Sequence, residues 1–196
     1  MFDEDDYFEQ VFTDLNLASE IIVAKEFDGC TFESCDFSEA TFRRCKFSDC
    51  RFLKCNLSVI DIDNSKFTDV LFKDCKIIGV DWTKGVWPGL ALGSPIGFKR
   101  CAIDASSFYG LSLKGVAIER CRAHDVDFRE ADFSRSNFSY TDLSNSLFGN
   151  TNLSNANFFE ASNYAIDVNQ NVIAGAKFSR LEALRLLEGL GIELVD

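Results

Sequence analysis

The sequence predicts a solenoid, one elongated domain built from a short internal repeat, and three observations predict it. An aromatic or leucine recurs every five positions through the clearest stretch, 30–57, at Phe32, Phe37, Phe42, Phe47, Phe52 and Leu57. A small residue stands two places before each of them: Cys30, Cys35, Ala40, Cys45, Cys50 and Cys55. The same phase runs through nearly all of the 196 residues with one slip. A helix repeats every 3.6 residues and a strand every 2.0, so a period of five belongs to neither and marks a repeat array. In such an array each unit contacts only its neighbours, which makes one long domain rather than two compact ones.

Counting back from Phe27, the phase passes Ile22, Leu17, Phe12, Tyr7 and Phe2. Counting forward from Leu57 it passes Ile62, Phe67, Phe72, Ile77, Trp82, Trp87 and Leu92. It slips by one residue within Gly93, Ser94, Pro95, Ile96 and Gly97, resumes at Phe98 and holds to Phe158. Asn163 is a polar exception before Val168, Ile173 and Phe178.

The repeats ADFSR (131–135), TDLSN (141–145) and TNLSN (151–155) follow the rule A(D/N)LXX, and on them the chain resembles the pentapeptide repeat family. The resemblance implies an all-β solenoid, a right-handed quadrilateral β-helix of about eight coils with a short C-terminal α-helix. Each pentapeptide would form one side of a square, with its central residue and the residue two before it pointing inward. The repeat domain would span 1–178 and a C-terminal dimerisation segment 179–196. At about 4.8 Å per stacked layer the rod would be about 38 Å long.

Taken in order, residues 1–10 carry Asp3, Glu4, Asp5, Asp6 and Glu9 with no base, while Phe2 and Tyr7 keep the phase. They either start the first coil or form a solvated acidic arm. Residues 17–77 make the first half of the rod. Residues 82–98 hold both tryptophans, both prolines and four glycines, a composition that predicts a bulge at Gly93, Ser94, Pro95, Ile96 and Gly97. Residues 101–158 make the second half, where Ser and Asn fill the turns. From Ser179 the period breaks. Leu181, Leu184, Leu187 and Leu190 predict an amphipathic helix, with Ser179 as N-cap, Glu182 three residues on and Gly189 or Gly191 at its end. Such an apolar end can cap its own core or meet a second copy. The number of leucines favours a symmetric dimer through Leu184, Leu187, Leu190, Ile192 and Leu194.

Composition narrows the function. The eight cysteines fall on the small inward position, which reads as buried small side chains in a reducing cytosol; zinc would need close pairs, and His124 is the only histidine. Neither a metal nor a cofactor is expected. No run of eighteen apolar residues predicts a membrane span, and the acidic N-terminus is unlike a signal peptide, so the cytoplasm is expected. No P-loop, Rossmann fingerprint or HExxH motif is present, and no catalytic residue is expected.

The formal charge is −11. If the slip leaves the faces unrotated, the face of Phe32, Phe52, Phe72, Leu113 and Phe133 and the face of Phe37, Leu57, Ile77, Phe98 and Phe138 are close to neutral. The acids then gather on the other two. One holds Glu20, Asp61, Asp63, Asp81, Asp104, Asp125 and Asp142; the other holds Glu26, Asp28, Asp49, Asp69, Asp127, Glu130 and Asp167. An acidic half-surface on a rod suits a basic, elongated partner site such as a DNA-binding groove.

Within the family, the interrupted stretch WPGLALGSPIGFKRC, the segment FYGLSLKGV and the ending EALRLLEGLGIELVD resemble the topoisomerase-protecting branch, of the Qnr, MfpA and AlbG types, with the AlbG type nearest. That resemblance implies a homodimeric DNA mimic that acts on DNA gyrase, with topoisomerase IV as a second target. It would counter a poison such as albicidin, a quinolone or a microcin without binding nucleic acid directly. The expected contact residues are Asp61, Asp63, Asp81, Asp104, Asp125, Asp127, Glu130 and Asp142. The alternative is a repeat scaffold for an unrelated cytosolic partner.

Overall fold

The computed structural model describes residues 2–87, 94–190 and 192. It is a β-solenoid of about eight coils. Each side pairs in parallel with the side twenty residues on, as in Tyr7↔Phe27, Phe12↔Phe32 and Ile22↔Phe42. Four sides therefore close one coil. The four faces are named here by their second-coil members, in chain order: the Phe27, Phe32, Phe37 and Phe42 faces.

Most of the described sides use their five residues alike. The central residue is buried in nearly all of them from Phe27 and Phe32 to Leu153 and Phe158, with Trp87 partly buried. The rings stack up the rod: Phe12, Phe32, Phe52, Phe72 and Phe98 lie 4.7–5.3 Å apart at near-parallel angles. Edge-to-face contacts join neighbouring columns, such as Phe27 with Phe32 at 5.3 Å, so the aromatic interior is held in both preferred geometries. The last residue of most described sides turns the corner with a positive φ, near 55° at Ser34, Arg44 and Asn64. Most of these are not glycine, and at the β-branched Val59 the left-handed angle (58°) is sterically costly. Its N–H bonds the Ile78 carbonyl at 2.8 Å, one rung of the ladder that fixes the corner.

The small inward position does more than leave room. Cys45, Cys55 and Cys75 donate their thiols to carbonyls twenty-three residues earlier, at 3.3–3.4 Å. Ser65, Thr141 and Ser146 make the same bond with hydroxyls at 2.6–2.7 Å. The thiols are thus small hydrogen-bonding groups as well as hydrophobes. Burial pushes Cys35 up to about 11 and Cys50 up to about 12, away from the thiolate form.

The position before the central residue contributes to the local form of many sides. Where it is Asp or Asn, its side-chain oxygen accepts the N–H two residues on: Asp36 from Ser38 at 2.9 Å, Asp132 from Ser134 at 3.0 Å, Asn152 from Ser154 at 3.1 Å. This Asx turn tightens the side into a turn with an isolated bridge. Where it is Thr31, Thr41, Lys46 or Arg51, the side stays a three-residue strand.

The interruption is longer than the period suggests. Phe72 pairs with Phe98, Lys76 with Ala102 and Asp81 with Ser107. That coil therefore spans 26 residues by numbering rather than twenty, one whole side plus one residue more than its neighbours. A period of five cannot tell a slip of six from a slip of one. The six residues that separate Trp87 from Ser94 lie outside the described residues, and Gly93 is among them. Ser94, Pro95, Ile96 and Gly97 belong to the stack instead: the Val70 N–H bonds the Pro95 carbonyl at 3.0 Å, and Ile96–Lys99 is a strand. The second half is consequently rotated by one face relative to the unrotated expectation. Phe98 lies on the Phe32 face, not with Ile77.

The ends also resolve the open expectations. Asp6–Phe8 pairs with Glu26–Asp28 and Tyr7 is buried, so the acidic N-terminal segment is the first coil. Asn163 is exposed with a φ of 57°, and Tyr164 and Ile166 take the inward places. The C-terminal Glu182–Leu190 is a 3-10 helix rather than an α-helix. Its predicted capping pair serves the last coil: Ser179 Oγ accepts the Glu160 N–H at 2.7 Å and Glu182 accepts the Asn163 N–H at 3.3 Å. Gly189 lies inside the helix instead of ending it. A Cβ there would meet the Asp167 carboxylate at 2.9 Å, so a larger residue would have to displace that side chain for the helix to dock as closely.

Candidate functional site

Rotation of the second half changes which acids share a face. Asp104, Asp125 and Asp142 lie on the Phe37 face, in the columns continued by Ala102↔Arg122 and Arg122↔Asp142. Asp61, Asp63, Asp81, Asp127 and Glu130 lie on the Phe42 face, through Thr41↔Asp61, Asp81↔Ser107 and Ser107↔Asp127. All eight expected contact residues therefore fall on two adjacent faces that share one corner. Asp28, Asp49 and Asp69, expected beside Asp127 and Glu130, lie instead on the Phe27 face, where bases offset them beyond the first coil. The Phe37 and Phe42 faces each carry three more acids than bases. The Phe32 face carries three more bases than acids, a polarity that the unrotated register conceals.

The acids differ in what they touch. Lys84 stands 3.3 Å from Asp61, Arg43 3.6 Å from Asp63 and Arg129 2.7 Å from Asp127. Arg122 donates to Asp104 at 2.8 Å, and His124 Nε2 lies 2.9 Å from Asp142. Asp81 caps the short turn Trp82–Lys84 by accepting the Thr83 N–H at 3.0 Å. Glu130 accepts from the Asn150 amide at 2.7 Å. These partly exposed pairs are each worth little in stability, but they dilute the negative field that a partner meets.

Four of the eight also hold the repeat together, Asp104 by accepting the His124 N–H one coil on at 3.1 Å. Asp81, Asp127 and Asp142 accept the Asx-turn N–H of Thr83, Arg129 and Ser144 at 3.0–3.1 Å. Hydrogen bonding from Arg129 holds the Asp127 carboxyl below the usual range. At Asp142 burial pushes the carboxyl up, but bonds from Asn163, Ser144 and His124 outweigh it and hold it well below that range. Asp61, Asp63, Asp125 and Glu130 have no such backbone duty.

The Phe32 face carries the chain where it resumes at Ile96–Lys99. A shallow hollow of about 300 Å³ beside it is lined by Asp69, Val70, Leu71, Ser94, Ile96, Gly97, Gly115 and Ala117. At the far end Leu186 packs against the core, which makes the C-terminal helix a cap. Leu184, Leu190 and Ile192 remain about half exposed and Leu181 is 80% exposed. Leu187 is half-buried, and Leu194 lies outside the described residues.

A family model described as a pentapeptide repeat region matches residues 25–108, and a second, of pentapeptide repeats, matches 112–150 and 136–162. The chain belongs to the pentapeptide repeat family. Two solved structures share the fold of this pentapeptide repeat protein, both trypsin-treated variants of QnrB1, a plasmid-mediated fluoroquinolone resistance protein. One is 20% identical with a TM-score of 0.65, covering 97% of this chain and 92% of its own. The other is 21% identical with a TM-score of 0.66, covering 94% and 100%. No curated protein matches the chain significantly by sequence. The likeness to QnrB1 supports the solenoid and its extent; at this identity it carries no particular residue.

Proposed function

We propose that this pentapeptide repeat protein binds DNA gyrase, with topoisomerase IV as a second target, at the surface that takes DNA, and shields the enzyme from a poison such as albicidin, a quinolone or a microcin. The observation that carries the reading is the gathering of all eight acids onto the adjoining Phe37 and Phe42 faces of the solenoid. The shared fold with a fluoroquinolone resistance protein supports the same direction. The fit rests on shape as much as charge. B-DNA carries one charge per roughly 1.7 Å, far denser than acids that are partly ion-paired. The protein acts in this reading by occupancy in the cytoplasm, without catalysis. A second copy joins through Leu184, Leu187, Leu190, Ile192 and Leu194 and doubles the length of the acidic surface.

Purified gyrase tests the reading in a supercoiling assay with and without each poison. Expected is inhibition of supercoiling at high protein concentration and, at lower concentration, rescue from one of the three poisons. No binding to gyrase or topoisomerase IV, with supercoiling unaffected, would assign the rod to an unrelated partner.

A further inference from the structure

The long coil that rotates the faces also collects cations. Lys73, Lys76, Lys99, Arg100 and Arg120 stand in three consecutive coils on the Phe32 face and its corner with the Phe37 face, through the pairings Lys73↔Lys99 and Phe98↔Ile118. Arg100 is paired with Asp74 at 2.6 Å and Lys99 lies 3.9 Å from Glu119, whereas Lys73 and Lys76 make no ion pair among the described residues. Arg120 lies over the Tyr140 ring at 4.1 Å from its centre. Tyr140 in turn meets Phe159 edge-on at 5.6 Å, and these two rings are 43% and 50% exposed. One edge of the rod thus runs from cations into exposed aromatics, rising about 4.8 Å per coil.

We propose that this edge binds a single strand of nucleic acid, with phosphates on Lys73, Lys76 and Arg120 and bases stacked against Tyr140 and Phe159. A line of cations followed by aromatic platforms is the combination that a single strand uses, since its backbone needs charge and its unpaired bases offer ring faces. An acidic protein segment would match the cations and leave the aromatics unused, and a duplex keeps its bases stacked inside. The overall charge of −11 does not forbid this. Its acidic excess lies on the other faces and the two ends. The Phe42 face is opposite, across two backbone layers about 10 Å apart plus their side chains, and the Debye length is about 8 Å at physiological salt. The proposal departs from the expectation that the protein would bind no nucleic acid, and because Lys76 stands on the Phe37 face the edge adjoins the surface proposed for gyrase; its test is made without gyrase.

Fluorescence anisotropy of a labelled twenty-nucleotide oligothymidine with the full chain tests it, alongside a duplex and a polyglutamate of similar length. Three matched phosphates give a salt slope of about −2 for a single strand, so affinity should fall roughly twentyfold between 50 and 200 mM salt. Lys73→Glu with Arg120→Glu should weaken binding at least tenfold, and Tyr140→Ala with Phe159→Ala roughly tenfold. Arg44→Glu, on the Phe42 face, should leave it unchanged, and thermal melts check that each variant is folded. Absence of saturable binding at 50 mM salt overturns the proposal. So does equal affinity for duplex or polyglutamate with no loss on removing the two rings, which would make the edge a site for general anions.

Discussion

Up to Trp87 the Phe27 and Phe32 faces consist mainly of short strands, whereas beyond Phe98 nearly every described side is an isolated bridge closed by a tight turn. One position accounts for part of the difference, although sides with Ala102, Ser107, Ser112 or Arg122 there are isolated bridges as well. Thr31, Thr41, Lys46 and Arg51 precede the inward residue in the first region; Asp127, Asp132, Asn137, Asp142 and Asn152 do so in the second. Asp and Asn serve alike, so that position needs an acceptor and not a charge. The Phe37 face supports this within the first half, since Asn16, Asp36 and Asn56 give it isolated bridges among strands. Acids in the second half are therefore poorer evidence of a charged binding surface than Asp61 or Asp63, whose carboxylates make no such turn.

The sharpest break would come in the core that both regions share. Phe52→Ala, within the first-half column, and Phe128→Ala, stacked between Phe108 and Phe148 at 5.6 and 5.1 Å, should each lose roughly 3–5 kcal/mol in urea denaturation. A loss under about 1 kcal/mol at either would mean that the two halves do not share one packed interior.

The acceptor position gives a smaller, more selective effect. Asp132→Ala should cost about 1 kcal/mol, while Asp132→Asn should cost only a few tenths, since Asn keeps the bond to Ser134. Acid adds a second handle. The carboxyls of Asp127 and Asp142 have folded values below the ordinary one, so their stabilisation is complete above about pH 5, starts to decline as pH falls through the ordinary value near 4, and is gone only once pH has passed below the folded values. Melting temperature should drop over that window, and Asp142→Asn should shrink the drop. A melting curve unchanged by acid would remove these bonds from the fold's energetics.

Smallest of the stability effects is exchange at the small inward position. Cys55→Ser should change stability by under about 1 kcal/mol because Ser65 and Thr141 make the equivalent bond, whereas Cys55→Val removes that bond and overfills the column, costing about 1–3 kcal/mol. Equal tolerance of both would return these cysteines to purely apolar packing.

The inward residues were legible in the sequence because burial imposes them at every side: Phe32, Phe52 and Leu153 could be placed by counting alone. The register of the second half was not, because five-residue counting is blind to a whole extra side. The signal was nevertheless present. Cys35, Cys55, Cys75, Cys101 and Cys121 stack on one corner, and their spacings of 20, 20, 26 and 20 residues report the long coil directly. Reading them would have exposed the basic edge at Lys73 and Arg120. The form of the C-terminal helix was beyond reach, since Ser179 and Glu182 bond to Glu160 and Asn163 across a coil instead of to their own helix.

The register and the functional proposal meet in one measurement, the affinity for gyrase of two triple charge reversals. Asp61→Lys, Asp63→Lys and Glu130→Lys together alter the Phe42 face without touching an Asx turn. Asp28→Lys, Asp49→Lys and Asp69→Lys alter the Phe27 face, which only an unrotated second half would place in line with Glu130. The first variant should bind gyrase at least tenfold more weakly, chiefly through slower association, and the second should stay within about twofold of the parent protein. Equal losses from both, or a loss confined to the Phe27 face, would contradict the assignment of the Phe37 and Phe42 faces as the surface that gyrase meets.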